Sequence, residues 1–153
     1  MSAQTRIERA ALADVSSPFA AFKPPRRVTV SKGAQENLFL RQPGGYTGPW
    51  SADETPYMVE PMDMLASKRH EAVCFVGPAR TGKTLSLVDA WITYAVTCDP
   101  GDMLITHMTQ EKAREFSKTR IDRAIRHSPA MNALMPKIGH NDNTHDKLFR
   151  HGM

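Results

Sequence analysis

The sequence predicts an α/β fold in which helices flank a parallel sheet. An apolar run at residues 72–76 is typical of a buried strand, and a second run occupies residues 103–108. Between them, apolar residues recur at helical spacing, at Leu85, Val88, Trp91, Ile92 and Val96. A turn signal at residues 99–102 then leads into the second run. This strand–helix–strand order predicts parallel strands with a right-handed crossover.

A glycine-rich loop joins the first predicted strand to the first predicted helix. Its residues, Gly77-Pro78-Ala79-Arg80-Thr81-Gly82-Lys83-Thr84, match the phosphate-binding pattern G-x-x-x-x-G-K-[ST] at each fixed position. The two glycines let backbone amides converge on phosphate oxygens, and the following helix adds its positive end. We expect Lys83 to reach the β- and γ-phosphates of ATP and the Thr84 hydroxyl to ligate Mg²⁺. The sequence therefore predicts part of a P-loop NTPase with a RecA-like sheet. The alternative is a strand-to-helix turn that binds nothing.

Residues 1–50 are predicted to form a poorly ordered, mostly irregular N-terminal arm. Prolines and glycines interrupt this stretch, which leaves room for short helices at residues 6–14 and at residues 31–40, the second capped by Ser31. Residues 51–153 are predicted to be the N-terminal part of an ATPase domain. We expect that part to be incomplete, because no later apolar run ends in the acidic residue that such ATPases use.

Two further helices are predicted on either side of the loop and its helix. The first covers residues 57–68, with Met58, Met62 and Leu65 on one face. The second begins at the N-cap Thr109 and runs to about residue 126. Its inward stripe consists of Ala113, Phe116, Ile121, Ala124 and Ile125, and is interrupted by Arg120. Residues 132–135 are expected to add a helical turn, and residues 138–144 a loop.

The charge is uneven along the chain, although the net charge is only +4. Residues 51–108 contain four Lys or Arg against eight Asp or Glu, whereas residues 109–153 contain nine against five. Basic flanks are compatible with nucleic-acid binding, and equally with solvated surface charge. No apolar run is long enough to span a membrane or to act as a secretory signal. Cys74 and Cys98 are predicted to be reduced core residues.

The motifs together resemble those of the large terminase subunit of tailed phages, of the lambda type. The residues that carry the resemblance are 56–63, the glycine-rich loop, and 106–116, which include Thr109-Gln110-Glu111. The resemblance implies the ATPase and endonuclease of DNA packaging, in the cytoplasm of the bacterial host. Its implied partners are double-stranded DNA, a small terminase subunit, the portal of the procapsid, and further copies of the full-length chain.

The resemblance also implies roles for individual residues. Arg80 matches an arginine that acts on the γ-phosphate, so Arg80 and Lys83 are the predicted catalytic residues. The segment before the first strand contacts adenine in the family, often through a glutamine. Met58 stands at that position here, and we expect Tyr57 to stack on the base.

Other interpretations of the sequence remain open at this point. A helicase of the RecA-like class would share the loop and the Thr-Gln-Glu segment. A non-catalytic remnant could bind a partner through its basic arm. His140, His145, Asp142 and Asp146 invite a metal site, but their spacing fits no established ligand pattern, and a solvated loop is favoured.

Overall fold

The computed structural model describes residues 26–41, 45–136 and 142–150. These residues combine helices with one two-stranded antiparallel sheet, which is a mixed architecture. The predicted helix at residues 6–14 and His140, in the predicted loop at residues 138–144, lie outside the described ranges.

The N-terminal elements precede the glycine-rich loop. They are helix α1 (Val30–Asn37), strands β1 (Phe39–Arg41) and β2 (Thr47–Pro49), a 3-10 turn (Pro56–Met58) and helix α2 (Val59–Leu65). The strands pair antiparallel, with Leu40 opposite Gly48. Residues 26–50, predicted as part of an irregular arm, therefore contain a helix and a hairpin.

The C-terminal elements follow the loop. They are a π-helical turn (Thr84–Asp89), helix α3 (Ala90–Thr97), helix α4 (Gln110–Phe116), a second π-helical turn (Ser117–Ile121), helix α5 (Asp122–His127) and helix α6 (Pro129–Leu134). The first π turn continues into α3, and residues 110–127 form one uninterrupted helix that contains the second π turn.

Helix α3 is the centre of the packing because it contributes to two hydrophobic clusters. Through Ala90, Tyr94 and the adjacent Cys98 it joins the first cluster, whose other buried members are Val30, Ala34, Leu38, Trp50, Met58 and Met62. Through Ile92 and Val96 it joins the second, with Ile125, Met131 and Phe149. The helix that follows the loop is thus held by packing on two sides, which fixes its first turn.

Helix α1 begins two residues earlier than the sequence predicted. Its N-cap is Thr29, whose hydroxyl accepts from the Lys32 amide at 3.4 Å. The predicted cap, Ser31, lies inside the helix and donates its own amide to Asp63 Oδ1 at 2.9 Å. The extended backbone of Thr29 suits a cap, and the Ser31–Asp63 bond joins α1 to α2. The prediction of Ser31 as the cap was therefore wrong.

The remaining helix predictions agree better with the structure. Met58 and Met62 are fully buried on one face, and Leu65 packs against them. Thr109 caps α4, with its hydroxyl 3.2 Å from the Lys112 amide. The stripe predicted for α4 and α5 is only partly correct, because Ile125 is its single buried member. Trp91, predicted to face inward, is 36% exposed.

The structure corrects the prediction of parallel strands at residues 72–76 and 103–108. Residues 72–76 and 103–108 form no strand in the described chain, and the only paired strands there are β1 and β2. Burial in these segments is limited: Phe75, Met103 and Ile105 pack against the clusters, whereas residues 72–74 are exposed and Val76 and Leu104 are 91% and 87% exposed. An apolar run in a sequence indicates only that its residues tend to be buried. A parallel strand also needs hydrogen-bonded neighbours, and no described residue supplies them.

Because residues 72–76 form no strand, the burial of one of the two cysteines also differs from the prediction. Cys98 is buried in the first cluster as predicted, whereas Cys74 is exposed because its segment is not covered by a sheet. Both thiols are free. None of the helices in the described ranges combines the length and the apolar character needed to cross a bilayer.

Candidate nucleotide-binding site

The glycine-rich loop occupies the turn between the extended residues 72–76 and the first π-helical turn, as its pattern predicts. Two of its residues have left-handed backbone, Arg80 with φ 63° and Gly82 with φ 74°. Left-handed residues within a short loop turn successive amides toward one side, which makes a concave anion site. At Arg80 this conformation is strained, because a side chain with a Cβ rarely adopts it.

Lys83 points back into the loop rather than out to solvent. Its Nζ donates to the Gly77 carbonyl at 2.9 Å, to the Pro78 carbonyl, and more weakly to the Thr81 hydroxyl at 3.4 Å. The Thr81 hydroxyl also donates to the Pro78 carbonyl at 3.0 Å. The ammonium group is thereby held within the concavity, where phosphate oxygens can replace the carbonyl partners.

Gly77 stands where the loop passes close to other side chains. A Cβ at Gly77 would come within 2.9 Å of Phe75 Cε1 and 3.7 Å of Lys83 Cδ. Glycine is therefore the residue that leaves room for the Phe75 ring beside the backbone, whereas the approach to the lysine stem would be an ordinary contact. A Cβ at Gly82 would make only ordinary contacts, the nearest at 3.9 Å from Ser86 Oγ, so its requirement for glycine comes from its positive φ.

Thr84 begins the π-helical turn directly after Lys83 and is half-buried. The turn is anchored to the loop by a hydrogen bond from the Ser86 amide to the Gly82 carbonyl at 2.9 Å. The Thr84 hydroxyl is of the type that ligates Mg²⁺ in P-loops, and its place next to Lys83 suits that role. No group of three potential metal ligands occurs among the described residues.

Tyr57 lies against the loop, although it belongs to the 3-10 turn before α2. Its hydroxyl donates to the Thr81 carbonyl at 3.1 Å, and the side chain is 56% exposed. The ring therefore borders the loop with an accessible surface. Met58, which stands in the position of the family's glutamine, is fully buried in the first cluster and presents no surface to a ligand.

Arg80 is exposed at the outer edge of the loop. Pro78 and Ala79 are also exposed, and Thr81 is half-buried. The structure thus brings the loop residues and Tyr57 together, while the guanidinium of Arg80 remains free in solvent.

One polar contact beside the loop helix was not predicted from the sequence. Asp89, at the end of the first π turn, accepts from Arg120 of the second π turn at 3.0 Å. Burial raises the pKa of Asp89 to about 6, against the opposing charge and hydrogen bond of Arg120. The sequence did contain a signal for this contact. Asp89 and Arg120 each interrupt an apolar helical stripe, and their side chains have opposite charges.

Comparison with known proteins identifies the family of the chain. The family model of the phage terminase large subunit gpA, ATPase domain, matches residues 44–153, so the chain belongs to this family. The "Terminase, large subunit" of Enterobacteria phage P21 is 28% identical to it over 123 residues. That alignment covers 78% of this chain and 19% of the relative, so the chain spans about a fifth of the relative's length. No solved structure matches the chain.

Proposed function

We propose that residues 77–84 bind the triphosphate of ATP together with Mg²⁺, as part of the motor that packages phage DNA. The observation that carries the proposal is the position of Lys83 Nζ, 2.9 Å from the Gly77 carbonyl inside a loop with two left-handed residues. Amide groups and a held ammonium are the donors that a polyphosphate requires.

Each loop residue has a defined task in this proposal. Backbone amides of residues 79–83 bind the β-phosphate, Lys83 exchanges its carbonyl partners for β- and γ-phosphate oxygens, and the Thr84 hydroxyl ligates Mg²⁺. Mg²⁺ would neutralise the charge that develops on the phosphates during hydrolysis. Tyr57 offers an exposed ring beside the loop on which adenine can stack.

Arg80 is proposed to act on the γ-phosphate. Its left-handed backbone places a strained residue at the loop edge, and strain of this kind is concentrated at functional sites. Its exposed guanidinium has no ion pair within the described ranges, which leaves it available to an anion. The cation would stabilise negative charge as it develops on the transferred phosphoryl group.

Double-stranded DNA, the small terminase subunit, the procapsid portal and other copies of the full-length chain are proposed partners through the family. The exposed basic side chains of residues 110–127 support contact with a DNA backbone; they are Lys112, Arg114, Lys118, Arg123 and Arg126. Duplex binding that does not weaken with rising salt would contradict this assignment. The endonuclease activity is proposed for the full-length protein, and no residue described here is assigned to it.

Titration of the chain with ATP and Mg²⁺ tests the proposed function. We expect Lys83→Ala to weaken binding by at least about tenfold, because a charge-assisted contact to phosphate is lost. Lys68→Ala is the matched control, since Lys68 is an exposed lysine of the same acidic section. Equal affinity of the Lys83→Ala variant and the control would contradict the proposal.

A further inference from the structure

A pocket lies beside the first π-helical turn, which directly follows the glycine-rich loop. It has a volume of about 420 Å³ and is bounded by β1, by the first π-helical turn and by the helix of residues 110–127. This space is large enough for a small anion together with part of a substituent.

Basic side chains from two elements line the pocket. Arg41 comes from β1, and Arg120, Arg123 and His127 come from the long helix. Within the described part of the chain, neither Arg41 nor Arg123 has an ion-pair partner. The arginines stay charged at any physiological pH, so the pocket favours an anion.

Asp89 also lines the pocket. Its carboxylate restricts which anions can bind there. The residue is only 6% exposed, and Arg120 binds its Oδ2. Its Oδ1 is shielded from solvent and has no hydrogen-bond partner among the described residues. A buried carboxylate oxygen without a donor is costly, so a ligand that fits must itself supply a hydrogen-bond donor.

We propose that this pocket binds a phosphate group that carries a proton, either inorganic phosphate or a phosphomonoester. Its deprotonated oxygens would accept from Arg41 and Arg123, and its P–O–H group would donate to Asp89 Oδ1. A phosphomonoester, whose second pKa is about 6, keeps this proton on about half of its molecules at pH 6 and on more of them at lower pH. Sulfate and phosphodiesters have no proton to donate and would face the Asp89 carboxylate with repulsion. The pocket therefore selects a protonated phosphate from other anions.

This proposal does not depend on nucleotide binding at the glycine-rich loop. The test accordingly uses the full chain with Lys83→Ala, in which the loop lysine is removed. Equilibrium dialysis with inorganic phosphate at pH 6.5 measures binding, and sulfate is tested as a competitor. We expect saturable phosphate binding, with sulfate at least about tenfold weaker because it lacks the donated hydrogen bond. No phosphate binding, or equal competition by sulfate, would overturn the proposal.

Arginine variants locate the bound anion. Arg123→Ala in the same background is expected to weaken phosphate binding about tenfold, through loss of a charge-assisted hydrogen bond. Arg126→Ala is the control, because Arg126 is an exposed arginine of the same helix outside the pocket. If the two variants lose affinity equally, the effect is general electrostatics and the pocket assignment is overturned.

Two further measurements separate the sources of phosphate and test Asp89. A 5′-phosphorylated oligonucleotide that binds more tightly than its 5′-hydroxyl form would identify a phosphomonoester as ligand, and preference for inorganic phosphate would identify the free ion. Asp89→Asn should bring sulfate and phosphate to similar affinities, because the amide can donate to either anion. Undiminished discrimination in a folded Asp89→Asn variant would exclude Asp89 as the selecting group.

Discussion

At the scale of single residues, Asp89 is the one charged residue that is buried in the described part of the chain. Its pKa is raised to about 6 by burial, so in the folded protein it holds a proton more tightly than in the unfolded chain. The folded state therefore binds more protons than the unfolded state between pH 3.8, the ordinary pKa, and about pH 6. Stability associated with Asp89 is fully present below this window and is lost as the pH rises through it.

Replacing Asp89 by asparagine removes that dependence. Relative to Asp89→Asn, the unsubstituted chain should lose about 2 kcal/mol of unfolding free energy between pH 3.8 and pH 6. Urea unfolding at several pH values measures the difference. Parallel stability curves for the two proteins across this window would show that Asp89 is not shifted as described.

A substitution at Arg80 separates its effect on backbone strain from its proposed effect on ATP hydrolysis. Arg80→Gly should raise the unfolding free energy by about 1 kcal/mol, because glycine adopts the left-handed conformation without penalty. Under the proposed function, the same change should lower ATP hydrolysis while leaving ATP affinity nearly unchanged. Hydrolysis at the unsubstituted rate would remove Arg80 from the catalytic residues.

At the scale of the elements, the contact between α1 and α3 depends on a glycine. A Cβ at Gly33 would lie 2.8 Å from Tyr94 Cδ2 and 3.2 Å from Cys98 Sγ, so the helices approach each other through this position. The two atoms belong to buried side chains of the first cluster, which have little space to move.

Gly33→Ala should therefore destabilise the protein by about 1–3 kcal/mol through overpacking. Gly101→Ala is the matched control, because a Cβ at Gly101 would meet nothing within 4 Å. Thermal unfolding of both variants measures the effect. An equal melting temperature for the two would mean that α1 does not pack on α3 in this way.

Local signals explain which elements could be predicted from sequence. The Thr109 cap, the methionine face of α2 and the helix after the glycine-rich loop each follow from residues close together in the chain. The hairpin of β1 and β2 was missed because each strand has three residues, too few to show a period. The Asp89–Arg120 contact was missed because the partners are 31 residues apart, although each one marks its own helix.

At the scale of the whole molecule, the predicted sheet is the main disagreement. The exposed Val76 and Leu104 were predicted to be covered, because the apolar runs that contain them resemble buried strands. An apolar run predicts burial, but burial on both faces requires strand pairing with long-range partners that a local pattern does not specify. The loop residues were predicted more completely, since their pattern encodes a local backbone geometry.

The central claim is that the amides of residues 77–84 form the site for the polyphosphate of ATP. The most direct measurement is a backbone amide NMR map of the chain, recorded before and after addition of ATP and Mg²⁺. The account predicts that the largest shift changes occur at residues 77–84, with smaller changes at Tyr57, and that Lys83→Ala suppresses them. Changes that leave residues 77–84 unaffected, or that persist fully in Lys83→Ala, would contradict it.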